Sequence, residues 1–231
     1  MRVHVAFTPA EEVSAPVGIV IDVLRATSTM AQALASGYRR VLCCSEIDDA
    51  RGIAAAEGDA VLAGERETIR IDGFDFGNSP RDFLEPAADT VVLTTTNGTR
   101  LLLAAAARCE LVLVGSLLNL DAVVRAAAEE GSEDVAVLCA GVQGELAMDD
   151  AYVAGRMAAA LGGGPTDSAA AAMRLAGSFA TNEEGLGASQ SARNLHASGL
   201  DDDIAWCARE SVLGVVPRFS RMVGTAAEVT L

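Results

Sequence analysis

The 231-residue sequence is poor in aromatic residues, in histidine and in positive charge. Aromatic residues make up 4% of the chain, so we expect a core of small aliphatic side chains, mainly Val, Leu and Ala. With only two histidines, His4 and His196, it cannot build a histidine-rich binuclear metal site. The formal net charge of −15 repels nucleic-acid backbones and anionic membranes. We therefore expect neither nucleic acid nor a membrane as a partner.

Long hydrophobic runs and paired cysteines are also lacking. No apolar run approaches the ~20 residues that a membrane-spanning helix needs, and the N-terminus lacks the apolar segment of a signal peptide. The five cysteines are odd in number and form no CxxC pair, so they indicate neither a zinc site nor a disulfide framework. These absences favour a cytoplasmic protein with free thiols.

Short Val-, Ile- and Leu-rich runs alternate with Ala- and Leu-rich segments of helical length. The runs predict buried strands at Val3–Phe7, Val17–Val23, Arg40–Cys44, Ala60–Ala63, Thr90–Thr94, Leu111–Val114 and Val135–Ala140. The segments predict helices at Ser28–Ser36, Ile47–Glu57, Thr99–Ala107, Asn119–Glu130 and Asp149–Leu161. Helix boundaries are indicated by Ser45 and Asn119 as N-caps and by Gly37, Gly58 and Gly131 as helix ends. The alternation predicts a three-layer α/β/α fold with a largely parallel or mixed sheet.

The sequence after Gly162–Pro165 no longer alternates between strand-like and helical segments and has a mainly helical pattern. It predicts helices at Asp167–Ala176, Ala188–Ala197 and Asp202–Glu210, and a short strand at Val212–Val216. We interpret 165–231 as a mainly helical portion packed on the sheet of a single domain, 1–231.

In such folds ligands bind beyond the carboxyl ends of the strands, so polar clusters there are candidate sites. Asp22 follows a buried strand, and Arg25 lies three residues later. Asp22 could hold a metal or act as a base, and Arg25 could grip a phosphate or sulfonate. A simpler interpretation is that Asp22 pairs with Arg25 and that Ser28 caps the helix. We favour function, because a carboxylate in an apolar run is costly unless it is used.

Glu65 and Arg66 follow the predicted strand Ala60–Ala63 and lead into a turn-rich loop that reaches Asn78, Ser79 and Pro80. Loops of this composition often cover active sites. An ordinary surface loop explains the same pattern equally well.

The segment Thr94–Arg100 joins a buried strand to a helix through an Asn97-Gly98 turn. Free backbone N–H groups and the positive end of the dipole make such a helix start suitable for binding an anion. We expect Gly98 to let the backbone approach the ligand and Arg100 to add charge. The alternative is a plain turn capped by Thr99.

The last cluster runs from Cys139-Ala140-Gly141 to Asp149 and Asp150. Acidic residues in a first helical turn are common, but beside the other clusters a metal-ligand role is the better interpretation. Cysteine-phosphatase chemistry is excluded because Glu145 stands where the mechanism needs an arginine. Asp22 also lacks the second aspartate of Asp-based phosphotransferases.

Taken in order, the motifs Asp22–Thr29, Gly64-Glu65-Arg66, Gly73–Pro80, Thr95–Arg100, Cys139–Gly141 and Asp149–Gly155 resemble the 2-phosphosulfolactate phosphatase family, and Asp202-Asp203-Ile204 resembles it weakly. The resemblance implies an α/β homodimer that hydrolyses 2-phospho-3-sulfolactate to 3-sulfolactate and phosphate with Mg²⁺, a step toward coenzyme M. One departure is Asp149, where the family has Glu, and this weakens the case for Asp149 as a ligand.

The resemblance also implies roles for individual residues. Asp22, Arg25 and Glu65 are expected to be catalytic, and Asp22, Glu65 and Asp150 to hold Mg²⁺. The expected substrate-binding residues are Arg66, Asn78, Ser79, Asn97, Gly98, Thr99 and Arg100. Two alternatives stay open: a protein that binds a phosphorylated anion without turnover, and an isomerase or lyase of phosphorylated hydroxy acids.

Overall fold

The fold is described by a computed structural model that covers residues 1–130 and 133–231. Its strands are β1 (Arg2–Ala6), β2 (Ala15–Ile21), β3 (Arg40–Cys44), β4 (Ala60–Arg66), β5 (Ile69–Arg70), β6 (Thr90–Thr94), β7 (Cys109–Gly115), β8 (Asp134–Cys139), β9 (Gly164–Pro165), β10 (Arg218–Val223) and β11 (Ala226–Thr230). Its α-helices are α1 (Ala26–Ala35), α2 (Ile47–Glu57), α3 (Gly98–Ala106), α4 (Leu120–Glu129), α5 (Met148–Leu161), α6 (Asp167–Ala176), α7 (Asn182–Gly187), α8 (Gln190–Ala197) and α9 (Asp201–Cys207). Two short 3₁₀ helices lie at Pro80–Phe83 and Leu117–Asn119.

The strands form one mixed sheet in the order β5-β4-β6-β3-β11-β10-β7-β2-β8-β1-β9. Strands β4, β6 and β3 are parallel to one another, and so are β7, β2, β8, β1 and β9. The antiparallel hairpin β10–β11 joins the two groups, because β11 pairs with β3 and β10 meets β7 where Arg218 lies opposite Leu113. The fold is therefore the predicted α/β fold with a mixed sheet.

Alternate residues of the central strands bury their side chains on opposite faces of the sheet, as the two-residue period of a strand requires. Ile19 and Ile21 of β2 pack into a cluster with α4, α5 and α6. Val20, between them, packs into a second cluster with α1 and α3. Helices thus cover both faces, and small residues let them approach closely: a Cβ on Gly155 of α5 would lie 2.1 Å from the carbonyl oxygen of Ala172.

Most strands and helices lie where the sequence predicts them, within two residues at either end except for β4 and α9. The chain after residue 207 does not follow the prediction. The predicted strand Val212–Val216 is irregular, and the sheet instead receives β10 and β11. The predicted helix from Asp202 runs from Asp201 to Cys207 and does not reach Glu210. The C-terminal portion therefore adds two central strands as well as helices.

Helix boundaries show smaller differences. Helix α2 has Glu46, not Ser45, at its N-cap, whereas Asn119 is the N-cap of α4 and Gly58 the C-cap of α2, as predicted. The predicted end at Gly131 lies outside the described residues. Helix α7 was not predicted. Within the part of the chain that the structure describes, no helix is long and apolar enough to cross a membrane.

Candidate active site

A cleft of about 400 Å³ lies beyond the ends of β2, β4 and β6. It is where polar residues from the predicted clusters meet. The residues that line it are Asp22, Leu24, Arg25, Glu65, Glu67, Thr68, Asn78, Thr96, Asn97, Val142, Gln143, Ser191, Asn194, Leu195, Ala197 and Ser198. The volume suits a small molecule.

Asp22 is the first residue after β2 and sits where two helices begin. Its Oδ1 accepts a hydrogen bond from the Ala26 N–H at 3.3 Å, and the N–H of Gly98 at the start of α3 also stabilises the carboxylate. Burial nevertheless raises the pKa of Asp22 to about 7, and the negative charges of Asp149 and Glu65 add to the rise. A carboxyl group with this pKa can exchange a proton near neutral pH.

Arg25 lies in the turn between β2 and α1, and its side chain is buried beside the cleft. The simpler interpretation that it pairs with Asp22 is wrong. Its Nη1 forms a buried ion pair with Asp203 of α9, which is 178 positions away in the sequence. The Ser79 hydroxyl donates to the other carboxylate oxygen of Asp203 at 2.6 Å. Asp203 is therefore a neighbour of the site, although no functional role was predicted for it from the sequence.

Glu65 lies on β4 and ties two loops together at the cleft. Its Oε1 accepts from the backbone N–H and the hydroxyl of Thr96, both at 3.1 Å, and its Oε2 accepts from the Thr68 N–H at 2.9 Å. Arg66, the next residue, does not line the cleft. It donates to Ser45 O at 3.1 Å and to Thr94 Oγ1 at 3.0 Å. Its Nη1 also donates to the Glu65 backbone oxygen at 2.7 Å, so of this predicted pair Glu65 lines the cleft and Arg66 braces the strand ends.

Asp149 and Asp150 lie in the first turn of α5, close enough to Asp22 for the charges to interact, but neither lines the cleft. Asp150 accepts from the backbone N–H of Val23 at 2.9 Å and of Gly141 at 3.1 Å, so both of its oxygens hold loops together. Burial, together with the charges of Asp149 and Asp22, raises the pKa of Asp150 well above its ordinary value. Burial also raises the pKa of Asp149 to about 6. This placement favours a supporting role for Asp150 over the predicted metal-ligand role.

The segment Thr94–Arg100, which the sequence predicts to bind an anion at the start of α3, packs closely against Asp22. A Cβ on Gly98 would lie 2.6 Å from the Ala26 Cβ and 2.7 Å from Asp22 Oδ2, so this glycine allows close packing against Asp22. The helix start therefore faces a carboxylate of the protein itself. Of the segment Thr94–Arg100, Thr96 and Asn97 line the cleft.

Thr99 and Arg100 of this segment lie away from the cleft lining. Thr99 is buried, and its hydroxyl lies 3.3 Å from that of Thr95. Arg100 is exposed and lies 3.7 Å from Glu46. A direct grip of Thr99 or Arg100 on the substrate stays a prediction that this placement does not support.

Asn78 lines the cleft and is almost fully buried. Its backbone oxygen accepts from the buried Thr29 hydroxyl at 2.9 Å, which fixes the loop to α1. Among buried side-chain nitrogen and oxygen atoms of the described residues, Asn78 Oδ1 alone has no hydrogen-bond partner. Ser79 does not line the cleft; it contacts Asp203 and caps the 3₁₀ helix at Pro80 by accepting from the Arg81 N–H.

One wall of the cleft comes from α8, which the sequence analysis did not select as functional. Ser191, Asn194 and Leu195 lie on this helix and Ser198 is its C-cap, and together they carry no charge. The Ser191 hydroxyl donates to Asp149 Oδ1 at 3.1 Å. Ser198 Oγ lies 2.5 Å from Thr68 Oγ1, so α8 meets the β4–β5 turn. No sequence signal marks these residues, because short polar side chains on a helix are common.

The charge of the cleft lining is unbalanced. Asp22, Glu65 and Glu67 are acidic, whereas Arg25 is the one basic residue in the lining and is already paired with Asp203. In residues 1–130 and 133–231, no group of three or more His, Cys, Asp or Glu side chains is arranged to hold a metal ion. A bound cation would therefore need ligands from water or from a substrate as well.

Comparison with known proteins assigns this architecture to a family. The family model described as 2-phosphosulpholactate phosphatase matches residues 4–221. A probable 2-phosphosulfolactate phosphatase of Thermus thermophilus is 38% identical over 233 residues, which cover 98% of each chain. The 2-phosphosulfolactate phosphatase of Methanothermobacter thermautotrophicus is 34% identical over 217 residues, covering 94% of this chain and 92% of the relative. A probable 2-phosphosulfolactate phosphatase of Gloeobacter violaceus is 36% identical over 229 residues, covering 94% of this chain and 95% of the relative.

Proposed function

We propose that this chain, which belongs to the 2-phosphosulfolactate phosphatase family, hydrolyses 2-phospho-3-sulfolactate, or a similar small phosphorylated hydroxy acid, to the hydroxy acid and phosphate. The observation that carries the proposal is the cleft in which Asp22, Arg25 and Glu65 meet. All three are residues to which the family resemblance gives catalytic roles. Relatives named as such phosphatases match almost the full length of the chain.

Binding of the substrate requires positive charge that the cleft itself does not supply. A phosphoester that also carries a carboxylate and a sulfonate is strongly anionic, and the cleft offers one arginine against three acidic residues. The shortage of positive charge supports a divalent cation as a third component. Arg25 would bind the phosphoryl group, because a guanidinium offers several donors to phosphate oxygens.

The donors in the cleft fit Mg²⁺. This ion takes one or two carboxylates and completes its shell with water and substrate phosphate. Asp22 and Glu65 would hold it directly or through water, and the pKa of Asp22, raised partly by the charge of Glu65, fits a site in which a cation relieves repulsion. When bound, Mg²⁺ supplies neutralisation of the phosphate charge. Asp150 would support this shell through the loops that it holds.

The chain's own residues would direct the attack of water. Asp22, oriented by the Ala26 N–H, would accept a proton from the attacking water. The water oxygen forms the new bond to phosphorus, and the ester oxygen leaves with the electron pair of the broken bond. That oxygen would then take the proton held by Asp22, which returns the carboxylate to its starting state. A phosphate ester dianion and water thus give the alcohol and hydrogen phosphate.

The uncharged wall of α8 would receive the remainder of the substrate. Asn194 and Ser198 offer neutral hydrogen-bonding groups, and Leu195 excludes water from that side. The phosphoryl group would lie against the charged wall, where Asp22 and Arg25 are.

We also propose a homodimer in the cytoplasm that supplies 3-sulfolactate for coenzyme M. Gel filtration with light scattering tests the dimer.

A phosphate-release assay tests the function. The purified protein is incubated with 2-phospho-3-sulfolactate and, separately, with 2-phospholactate, each with Mg²⁺. We expect free phosphate, loss of release with EDTA, and recovery when Mg²⁺ is restored in excess. If calorimetry detects binding while no phosphate is released, the chain binds these anions without hydrolysing them, and the proposal is wrong for these substrates.

A further inference from the structure

The buried ion pair between Arg25 and Asp203 connects the cleft to the C-terminal helices. Arg25 is 4% exposed and Asp203 is 1% exposed, so both charges lie almost entirely outside water. Arg25 also lines the cleft, whereas Asp203 does not. Asp203 therefore cannot touch a ligand in the cleft, but it touches the one arginine that can.

Asp203 is held by donors from two directions. Arg25 contacts one carboxylate oxygen, and the Ser79 hydroxyl donates to the other at 2.6 Å. Arg81 Nη1 lies 3.9 Å from the same oxygen as Ser79. A carboxylate with both oxygens engaged has a fixed orientation, so it presents a fixed acceptor to the guanidinium.

Burying such a pair is a poor way to gain stability, since the cost of removing two charges from water often cancels their attraction. A positional role explains the pair better. An arginine has four rotatable side-chain bonds and five N–H donors, and Asp203 engages the Nη1 group of Arg25. A second contact, from Nη2 to the Thr68 carbonyl oxygen at 3.5 Å, lies on the cleft side.

We propose that Asp203 is a positioning residue that holds the Arg25 guanidinium in the orientation that binds the phosphoryl group. The proposal rests on the proposed function for its substrate, but phosphate binding tests it separately. A guanidinium that is fixed before the ligand arrives loses less conformational freedom on binding. Without Asp203, Arg25 would be an unpaired buried charge that can turn away from the cleft.

The test is a double-mutant cycle on the full-length protein with the variants Asp203→Asn, Arg25→Ala and the combination. Asp202→Asn is the matched control, because Asp202 lies on the same helix, is 76% exposed in its side chain and pairs with Arg81 at 3.0 Å. Two readouts are used: the affinity for inorganic phosphate by calorimetry with Mg²⁺ present, and kcat and KM with 2-phospho-3-sulfolactate. Thermal unfolding of each variant reports stability.

We expect Asp203→Asn to weaken phosphate binding and to raise KM by about 10- to 100-fold, since small displacements of a binding group have effects of this size. In the Arg25→Ala background the same change should add less than about twofold, because Asp203 then has nothing to position. Asp202→Asn should leave both readouts unchanged.

Two outcomes would overturn the proposal. The first is an unchanged phosphate affinity in Asp203→Asn, and the second is an equal loss in the presence and absence of Arg25. If Asp203→Asn does not fold, Ser79→Ala replaces it, and its loss of phosphate affinity should likewise vanish without Arg25. A wild type that binds phosphate but does not hydrolyse the substrate would refute the proposed function while the binding cycle still decides the role of Asp203.

Discussion

The raised pKa of Asp22 predicts that the metal-free protein loses stability as the pH rises through neutrality. In the unfolded chain Asp22 has an ordinary pKa of 3.8, whereas in the fold its pKa is about 7. Between these values the folded state binds more protons than the unfolded state, so the free energy of unfolding falls with increasing pH. Asp149, with a pKa of about 6 in the fold, acts in the same direction.

The magnitude follows from the difference between the two pKa values of Asp22. Each pH unit is worth about 1.4 kcal/mol, so a difference of about 3 units corresponds to at most about 4 kcal/mol between pH 4 and pH 8. Water in the open cleft reduces this figure. Asp22→Asn removes the titrating group, so we expect the variant to be more stable than the wild type at pH 8 and to show a smaller pH slope.

Urea unfolding followed by circular dichroism at pH 5, 6, 7 and 8, with EDTA present, measures this slope. His196 needs a control, because its pKa is raised by Asp201 and the stability from that pair is also lost as the pH rises through the folded pKa. His196→Gln is therefore measured beside the wild type. Equal slopes in wild type and Asp22→Asn would refute the assignment of the titration to Asp22.

Three further predictions concern the same cleft. In thermal scans, Mg²⁺ should raise the unfolding temperature of the wild type more at pH 8 than at pH 5, and Asp22→Asn should lose most of this gain. An equal shift at both pH values would contradict a metal site built on these carboxylates. Gly98→Ala should destabilise the fold by about 1–3 kcal/mol in urea unfolding, because the new Cβ would meet Asp22 and Ala26. Arg100→Ala should change kcat/KM less than about twofold, since Arg100 is exposed and lies beside Glu46. A loss of tenfold or more would show that Arg100 binds the substrate, as the sequence predicts.

The sequence predicts those site residues that a short local pattern marks. A buried strand that ends in a charged turn marks Asp22 and Glu65, and both line the cleft because the strands end there. The alternation of strand-like and helical segments likewise predicts most elements and the layered fold. These features depend on side chains a few positions apart, which the sequence displays directly.

Features that depend on distant pairing could not be predicted. Asp203 reads as an ordinary acidic residue at a helix start, and its contact with Arg25 exists only because α9 packs beside the cleft. The hairpin β10–β11 inserts at the centre of the sheet, although its residues lack a continuous apolar run. The close approach of Gly98 to Asp22 and Ala26 likewise joins residues that are far apart in the sequence.

The most direct test of the central claim is to follow 2-phospho-3-sulfolactate with the protein and Mg²⁺ by ³¹P and ¹H NMR, which detects every product at once. We expect the phosphoester signal to be replaced by the signals of inorganic phosphate and 3-sulfolactate in equal amounts, and Asp22→Asn to show no conversion. A rearranged phosphoester, an unsaturated product, or an unchanged substrate with wild-type protein would contradict it.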